Sequence, residues 1–139
     1  MPLQSRVEAA LAGASIPYRP LNRAEASTVR HHWLKTFAAR VLKQKGCEIF
    51  NGYRWHGFSF RIEDAIEGEA ALREYQIQLR APFVVFDEDE EFYFRCEAAS
   101  YPDFTTVSND VYVAHYDMRW TMAFTHEQPA IGPFFARGG

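Results

Sequence analysis

The chain has 139 residues, of which 47% are hydrophobic and 24% charged, and its formal net charge at pH 7 is −3. A chain of this length fits one domain and can bury a core without disulfide or metal support. No apolar run approaches the roughly 18–20 residues that span a bilayer, and the early residues lack the apolar segment of a signal peptide. We therefore expect a cytoplasmic protein that does not bind membranes.

The charge is distributed unevenly along the sequence. Residues 1–46 contain eight Lys and Arg against two Glu, whereas residues 47–100 contain five Arg against twelve acidic residues. The overall acidic balance argues against a general nucleic-acid-binding protein, which shows a basic excess. The acidic middle is compatible with a local surface that meets a basic protein partner.

Residues 1–21 predict a short helix followed by a linker. Ser5 and Glu8 have the spacing of a capping box, with Ser5 as the N-cap, and a glycine five residues later predicts the end of the helix. Residues 16–20 contain two prolines, each of which disfavours helix at the preceding residue, so an extended linker is predicted there. The core of the single domain is expected in residues 22–139.

A long helix is predicted from about Arg23 to Lys45. Asn22 and Glu25 have the spacing of a capping box at its start. Apolar residues then recur every four positions, which gives one stripe that can pack on a sheet. This stripe consists of Val29, Trp33, Phe37 and Val41.

From residue 48 onward the sequence predicts a strand, a second helix and a series of strands. The first strand covers residues 48–60 and contains Gly57, a residue type that often marks a bulge within a strand. The helix is predicted over residues 67–75. The later strands are predicted over residues 82–86, residues 91–97, the hairpin 110–127 and an edge strand at 131–136. This order favours an α+β fold, a single domain with an antiparallel sheet of about five strands and a long helix packed on one face.

The hairpin over residues 110–127 has the period-two alternation of a half-buried strand pair. Its turn is predicted at Asp117 and Met118. A two-residue loop places His126 opposite Asn109, and a three-residue loop places it opposite Asp110. Both registers give His126 a hydrogen-bond partner at the open end of the hairpin.

Several short segments follow one another from Trp33 onward in a characteristic order. They are Tyr53–His56 followed by Phe58–Ser59, Glu67–Ala70, Phe83–Phe86, Asp110–Val113, Trp120–Thr121, Thr125–Glu127 and Gly132–Phe135. In order and spacing they resemble DUF4275, a family of small bacterial proteins of unknown function. The first 25 residues and Ala65–Ile66 depart from the family pattern. The resemblance implies one compact bacterial domain and implies no activity.

The adjacent pair His126 and Glu127 could supply an acid–base pair or metal ligands. Neighbouring strand residues point to opposite faces, however, so the two side chains would not converge on one ion. Because most buried polar groups are simply hydrogen-bonded, we favour a structural role for His126. The alternative is a small enzyme or ligand-binding domain that uses His56, His126 and Glu127.

No metal or cofactor site is predicted. His31 and His32 diverge by about 100 degrees around a helix, which makes them a poor chelate. The sequence contains no His-x-x-x-His, Cys-x-x-Cys, glycine-rich phosphate loop or nucleophile elbow. Cys47 and Cys96 are expected to be free thiols, as is usual in the cytosol, and the apolar neighbours of Cys96 predict that it is buried.

Five consecutive acidic residues form the most strongly charged segment of the chain. They are Asp87, Glu88, Asp89, Glu90 and Glu91. A solvated turn that keeps a strand edge soluble accounts for them structurally. Functionally, they could form a docking surface for a basic protein, with neighbouring aromatic residues as anchors. We expect a non-enzymatic interaction domain, in its most concrete form an immunity protein that neutralises a bacterial toxin through this acidic surface.

Overall fold

Seven strands form one antiparallel sheet in the computed structural model, which describes residues 1–45 and 53–138 except for the side chains of residues 44 and 45. The helices are α1 (Leu3–Gly13), α2 (Arg23–Phe37), α3 (Ala39–Lys45), α4 (His56–Ser59) and α5 (Glu69–Gln76). The strands are β1 (Tyr18–Pro20), β2 (Ile66–Glu67), β3 (Phe83–Asp87), β4 (Tyr93–Cys96), β5 (Val111–His115), β6 (Trp120–Phe124) and β7 (Phe134–Arg137). Their order across the sheet is β1-β4-β3-β5-β6-β7-β2.

Helices cover both faces of this sheet. On one face, α1 and α5 pack through residues such as Leu11 and Tyr75, and on the other α2, α3 and α4 pack through residues such as Trp33. Successive residues of β3 point alternately into the two cores, Val85 into the first and Val84 into the second. The central strands are therefore apolar on both sides, and the domain has three layers.

The α+β class is confirmed, but the prediction of about five strands and one long helix on one face is wrong. The two additional strands, β1 and β2, have three and two residues and lie at the sheet edges. Residues 16–20, predicted as a linker, include β1, in which Tyr18 pairs with Cys96. Strands this short carry too little alternation to be seen in a sequence.

The predicted long helix is interrupted at Ala38, between α2 and α3. The backbone amides of Arg40 and Val41 donate hydrogen bonds of 2.7 and 3.0 Å to the carboxylate of Glu63. These amides belong to the first turn of α3 and have no partner within that helix, because the first four N–H groups of any helix lack one. A distant carboxylate thus caps the start of α3.

The two predicted capping boxes have different outcomes. That of α2 is confirmed, since the Glu25 amide donates to Asn22 Oδ1 at 2.9 Å and the Asn22 amide donates to Glu25 Oε1 at 3.1 Å. The box at Ser5 is wrong, because α1 already begins at Leu3 after Pro2 and has no side-chain cap. Pro2 is the N-cap, and its carbonyl accepts a 3.1 Å hydrogen bond from the Arg6 amide, so Ser5 already lies within the first turn.

The strand predicted over residues 48–60 is replaced, in its described part, by the one-turn helix α4. Residues 48–52 of that prediction lie outside the described residues. A β-carbon added to Gly57 would lie 3.0 Å from Val41 Cγ2. Gly57 therefore allows α4 to approach α3 closely and does not mark a strand bulge.

The β5–β6 hairpin has the register that was predicted for a two-residue loop. Val111 pairs with Phe124 and Ala114 pairs with Thr121, which extends to Tyr116 opposite Arg119. The strand predicted at 131–136 is present as β7, but the prediction that it forms the sheet edge is wrong, because the short β2 pairs with its outer side. The helix predicted over residues 67–75 is α5, which begins two residues later than predicted.

Candidate functional site

Aromatic and histidine side chains gather at the open end of the β5–β6 hairpin, beside α4. We call the set of Tyr53, Trp55, His56, Phe60 and His126 the aromatic–histidine cluster. The ring centroids of Tyr53 and His126 are 4.7 Å apart, those of Trp55 and His56 are 4.5 Å apart, and His56 stacks on Phe60 at 4.9 Å. Trp55 is buried, whereas Phe60 is 63% and Tyr53 is 38% exposed. The cluster therefore has a buried base and an exposed surface.

Asp110 connects the hairpin to the base of this cluster. Its carboxylate is almost fully buried and accepts hydrogen bonds from Trp55 Nε1, from the His126 amide and from His126 Nδ1, each at 2.9 Å. Because a carboxylate only accepts, the proton of a neutral His126 ring lies on Nδ1, and Nε2 is then an acceptor. Asp110 thus fixes the orientation of both rings.

His56 is influenced by the charges around it. Partial burial lowers the pKa of His56, and His126 lowers it further, while the negative charges of Glu127 and Asp110 act in the opposite direction. At neutral pH the neutral form of His56 is therefore favoured. The alternative prediction was an enzyme or ligand-binding site formed by His56, His126 and Glu127. In the structure the two histidines both pack against Trp55, and Glu127 is exposed in the turn after β6.

Arg54, immediately before Trp55, joins the cluster to the acidic turn. Its side chain is 7% exposed, and its guanidinium donates to Glu88 Oε2 at 2.8 Å and to the Glu88 carbonyl at 2.9 Å. Glu90 is its second carboxylate partner, at 3.1 Å. Burial raises the pKa of Glu88 despite the opposing effect of Arg54. The ion pair is thus largely removed from water.

The five consecutive carboxylates do not share one exposed surface. Asp87 is 2% exposed, and its Oδ1 accepts hydrogen bonds from the amides of Glu91 and Phe92, so it stabilises the turn. Glu88 and Glu90 hold Arg54. The expectation of an exposed acidic segment is therefore wrong for Asp87 and Glu88, while Asp89 and Glu91 are exposed.

Sequence reasoning identified His56 and His126 and gave Asp110 as one of two possible partners of His126, but it assigned no role to Tyr53 or Phe60. The signal for Asp110 was present in the hairpin register, where it was one of two possible partners of His126. In the structure the backbone register places Asn109 opposite His126, yet the side-chain bond is made by Asp110. Asn109 instead accepts a 2.6 Å hydrogen bond from Arg6. Nothing local in the sequence indicated that Phe60 is exposed.

Within residues 1–45 and 53–138, no group of three or more His, Cys, Asp and Glu side chains is arranged to hold a metal ion. Cys96 is a buried free thiol, and burial raises its pKa to about 12. Cys47 lies outside the described residues. No helix in the described part of the chain is long and apolar enough to cross a membrane.

Comparison with known proteins identifies one family. The sequence model of the family described as Domain of unknown function (DUF4275) matches residues 19–135. A search of curated proteins gives no match, and a search of solved structures gives none. The match spans most of the chain and confirms the resemblance seen in its short motifs. The chain therefore belongs to the DUF4275 family.

Proposed function

We propose that this chain is a non-enzymatic protein-interaction domain, in its most concrete form an immunity protein that binds and neutralises a bacterial toxin. The observation that carries the proposal is the aromatic–histidine cluster. Phe60 and Tyr53 expose large rings, while Trp55 and Asp110 beneath them are fixed by buried hydrogen bonds. Aromatic side chains on a rigid base lose little conformational entropy on binding and are frequent anchors of protein interfaces.

The acidic turn supplies the second part of the proposed surface. Asp89 and Glu91 are exposed, and the Arg54–Glu88 pair holds their turn beside the cluster. Exposed carboxylates at the rim of an interface accelerate the approach of a cationic partner. The proposed acidic contacts are therefore Asp89 and Glu91, while Asp87, Glu88 and Glu90 maintain the shape of the turn.

Co-expression tests the proposed function directly. The product of the neighbouring gene is expressed alone and together with this chain, and cell survival is scored. We expect the neighbour to be toxic alone and harmless in the presence of the chain. A non-toxic neighbour, or a toxic one that the chain does not neutralise, would count against the immunity function.

Association kinetics with the neutralised protein test the charged part of the surface. Asp89→Lys and Glu91→Lys should slow association, and the effect should shrink as salt is added, because exposed charges are screened. Glu69→Lys is the matched control, since Glu69 makes the same charge change at a 95% exposed side chain on α5. Equal association rates in all three variants would show that Asp89 and Glu91 do not belong to the partner-binding surface.

The second candidate function is a small enzyme that uses His56, His126 and Glu127. The observation that favours it is the Asp110–His126 pair, in which a buried carboxylate orients an imidazole as in many acid–base sites. Stoichiometry separates the two functions. An interaction domain neutralises its partner at one molar equivalent, whereas an enzyme acts below one equivalent and loses that action in His126→Gln.

A further inference from the structure

A cleft of about 860 Å³ lies at the turn end of the β5–β6 hairpin, away from the aromatic–histidine cluster. Three separate parts of the chain form its walls, namely residues 78–81 after α5, residues 115–120 around the hairpin turn, and residues 137–138. Each part contributes one arginine. These are Arg80, Arg119 and Arg137.

The three guanidinium groups differ in how they are neutralised. Arg137 forms an ion pair with Glu74. Arg80 lies over the ring of Tyr101 at 4.7 Å and donates a 3.4 Å hydrogen bond to the Gln76 carbonyl, neither of which cancels its charge. Among the residues that the structure describes, no carboxylate oxygen lies within 4.0 Å of a guanidinium nitrogen of Arg80 or Arg119, so neither forms an ion pair.

His115 adds a neutral donor to the same cleft. Partial burial lowers the pKa of His115, Arg119 lowers it further, and the charge of Asp117 opposes both effects. The Nδ1 atom of His115 accepts a 3.0 Å hydrogen bond from the Asp117 amide, so the proton of the neutral ring lies on Nε2. Asp117 is also the one acidic side chain among the residues that line the cleft. The cleft is therefore lined by two cationic residues without an ion-pair partner, one N–H donor and one carboxylate.

We propose that this cleft binds a small oxyanion, a phosphate or carboxylate group, through Arg80 and Arg119 with His115 Nε2 as an additional donor. A planar guanidinium matches two oxygens of such a group, and charge-assisted hydrogen bonds are about twice as strong as neutral ones. The unpaired positive charges of Arg80 and Arg119 attract an oxyanion to the cleft that both residues line. The assignment is independent of the proposed function, because it concerns the other end of the hairpin.

Amide NMR titrations at constant ionic strength test the cleft, with inorganic phosphate, methyl phosphate and acetate as separate probes. We expect saturable shifts at Arg119 and Gly138 with at least one probe, and their relative affinities identify the phosphoryl or the carboxylate class. The Arg80→Gln/Arg119→Gln variant should bind that probe at least about tenfold more weakly. Lys35→Gln, which removes one positive charge at an exposed position on α2 as each single arginine variant does in the cleft, should bind as the unmodified chain does.

The absence of saturation with all three probes would overturn the assignment, as would equal binding by the double variant and the unmodified chain. A thermal melt of each variant confirms that it is folded. If the double variant does not fold, the two single variants replace it and the same comparison applies.

Discussion

The two ends of the β5–β6 hairpin contain similar residue types in different environments. At the open end, the ring of His126 is bound to the side chain of Asp110, which is 9% exposed. At the turn end, the ring of His115 accepts from the backbone of Asp117, whose own side chain is exposed. Burial therefore turns one His–Asp pair into a structural anchor and leaves the other as part of an open cleft.

The arginines repeat this contrast. Arg54 is buried and paired with Glu88, whereas Arg119 is exposed and has no carboxylate partner among the described residues. A buried charge is held by its partner, while an exposed one remains available to a ligand. The open end thus presents a fixed aromatic surface, and the turn end presents uncompensated positive charge.

The largest difference between the two ends should appear on removing these arginines. Arg54→Met leaves the largely buried Glu88 carboxylate without its partner and should lower the unfolding free energy by roughly 3–5 kcal/mol. Arg119→Met removes an exposed charge and should change it by less than about 0.5 kcal/mol. Urea denaturation of both variants measures the two values. Equal losses would show that Arg54 is not a structural anchor.

Removing Asp110 at the open end should lower the unfolding free energy more than removing Asp117 at the turn end, by a smaller margin than for the arginines. Asp110→Ala leaves Trp55 Nε1 and the His126 amide without their acceptor and should cost about 2–3 kcal/mol of unfolding free energy. Asp117→Ala removes an exposed carboxylate and should stay within about 0.5 kcal/mol of the unmodified chain. The same denaturation experiment checks both. A small effect of Asp110→Ala would contradict its role at the base of the cluster.

Histidine titrations should show the smallest effects. The pKa values of His56 and His115 both lie below the ordinary value because of burial, and each has a neighbouring carboxylate that opposes this shift. Glu127→Gln should therefore lower the pKa of His56 further and leave His115 unchanged. Asp117→Asn should lower the pKa of His115 and leave His56 unchanged. NMR titration of the imidazole protons measures both pKa values. A change in the pKa of His115 in Glu127→Gln, or of His56 in Asp117→Asn, would contradict these assignments.

The direction of the associated pH dependence follows from the lowered pKa values. The unfolded chain takes up protons at these histidines near the ordinary pKa of about 6.5, before the folded chain does. The contribution of each histidine to stability is therefore fully present above that pH and decreases as the pH falls toward the pKa of the folded state. Both side chains are partly exposed, so solvent screening keeps this effect small.

Local sequence rules predicted several elements that local interactions determine, although the capping box at Ser5 was wrong. The capping box of Asn22 and the β5–β6 hairpin depend on neighbouring residues, and both were predicted. The helix α4 was missed because its aromatic residues have the composition of a strand, while its position depends on contact with Val41. Such contacts between residues far apart in the sequence have no local signature.

The candidate site shows the same limit. His56 and His126 could be selected from residue type alone, but their approach to each other depends on the packing of α4 against the hairpin. The exposure of the acidic segment was overestimated, because Arg54, which lies 34 residues before Glu88, pairs with Glu88 in the fold. Burial and long-range pairing decide which of several similar side chains remains on the surface.

The most direct test of the central claim compares cluster variants with a control in the co-expression assay. Tyr53→Ala and Phe60→Ala remove exposed rings of the cluster, and Leu79→Ala removes a 90% exposed side chain beside the cleft at the turn end. We predict that the two cluster variants fail to neutralise the toxic neighbour while Leu79→Ala neutralises it fully. Full neutralisation by folded Tyr53→Ala and Phe60→Ala would contradict the assignment of the partner-binding surface to the open end of the hairpin.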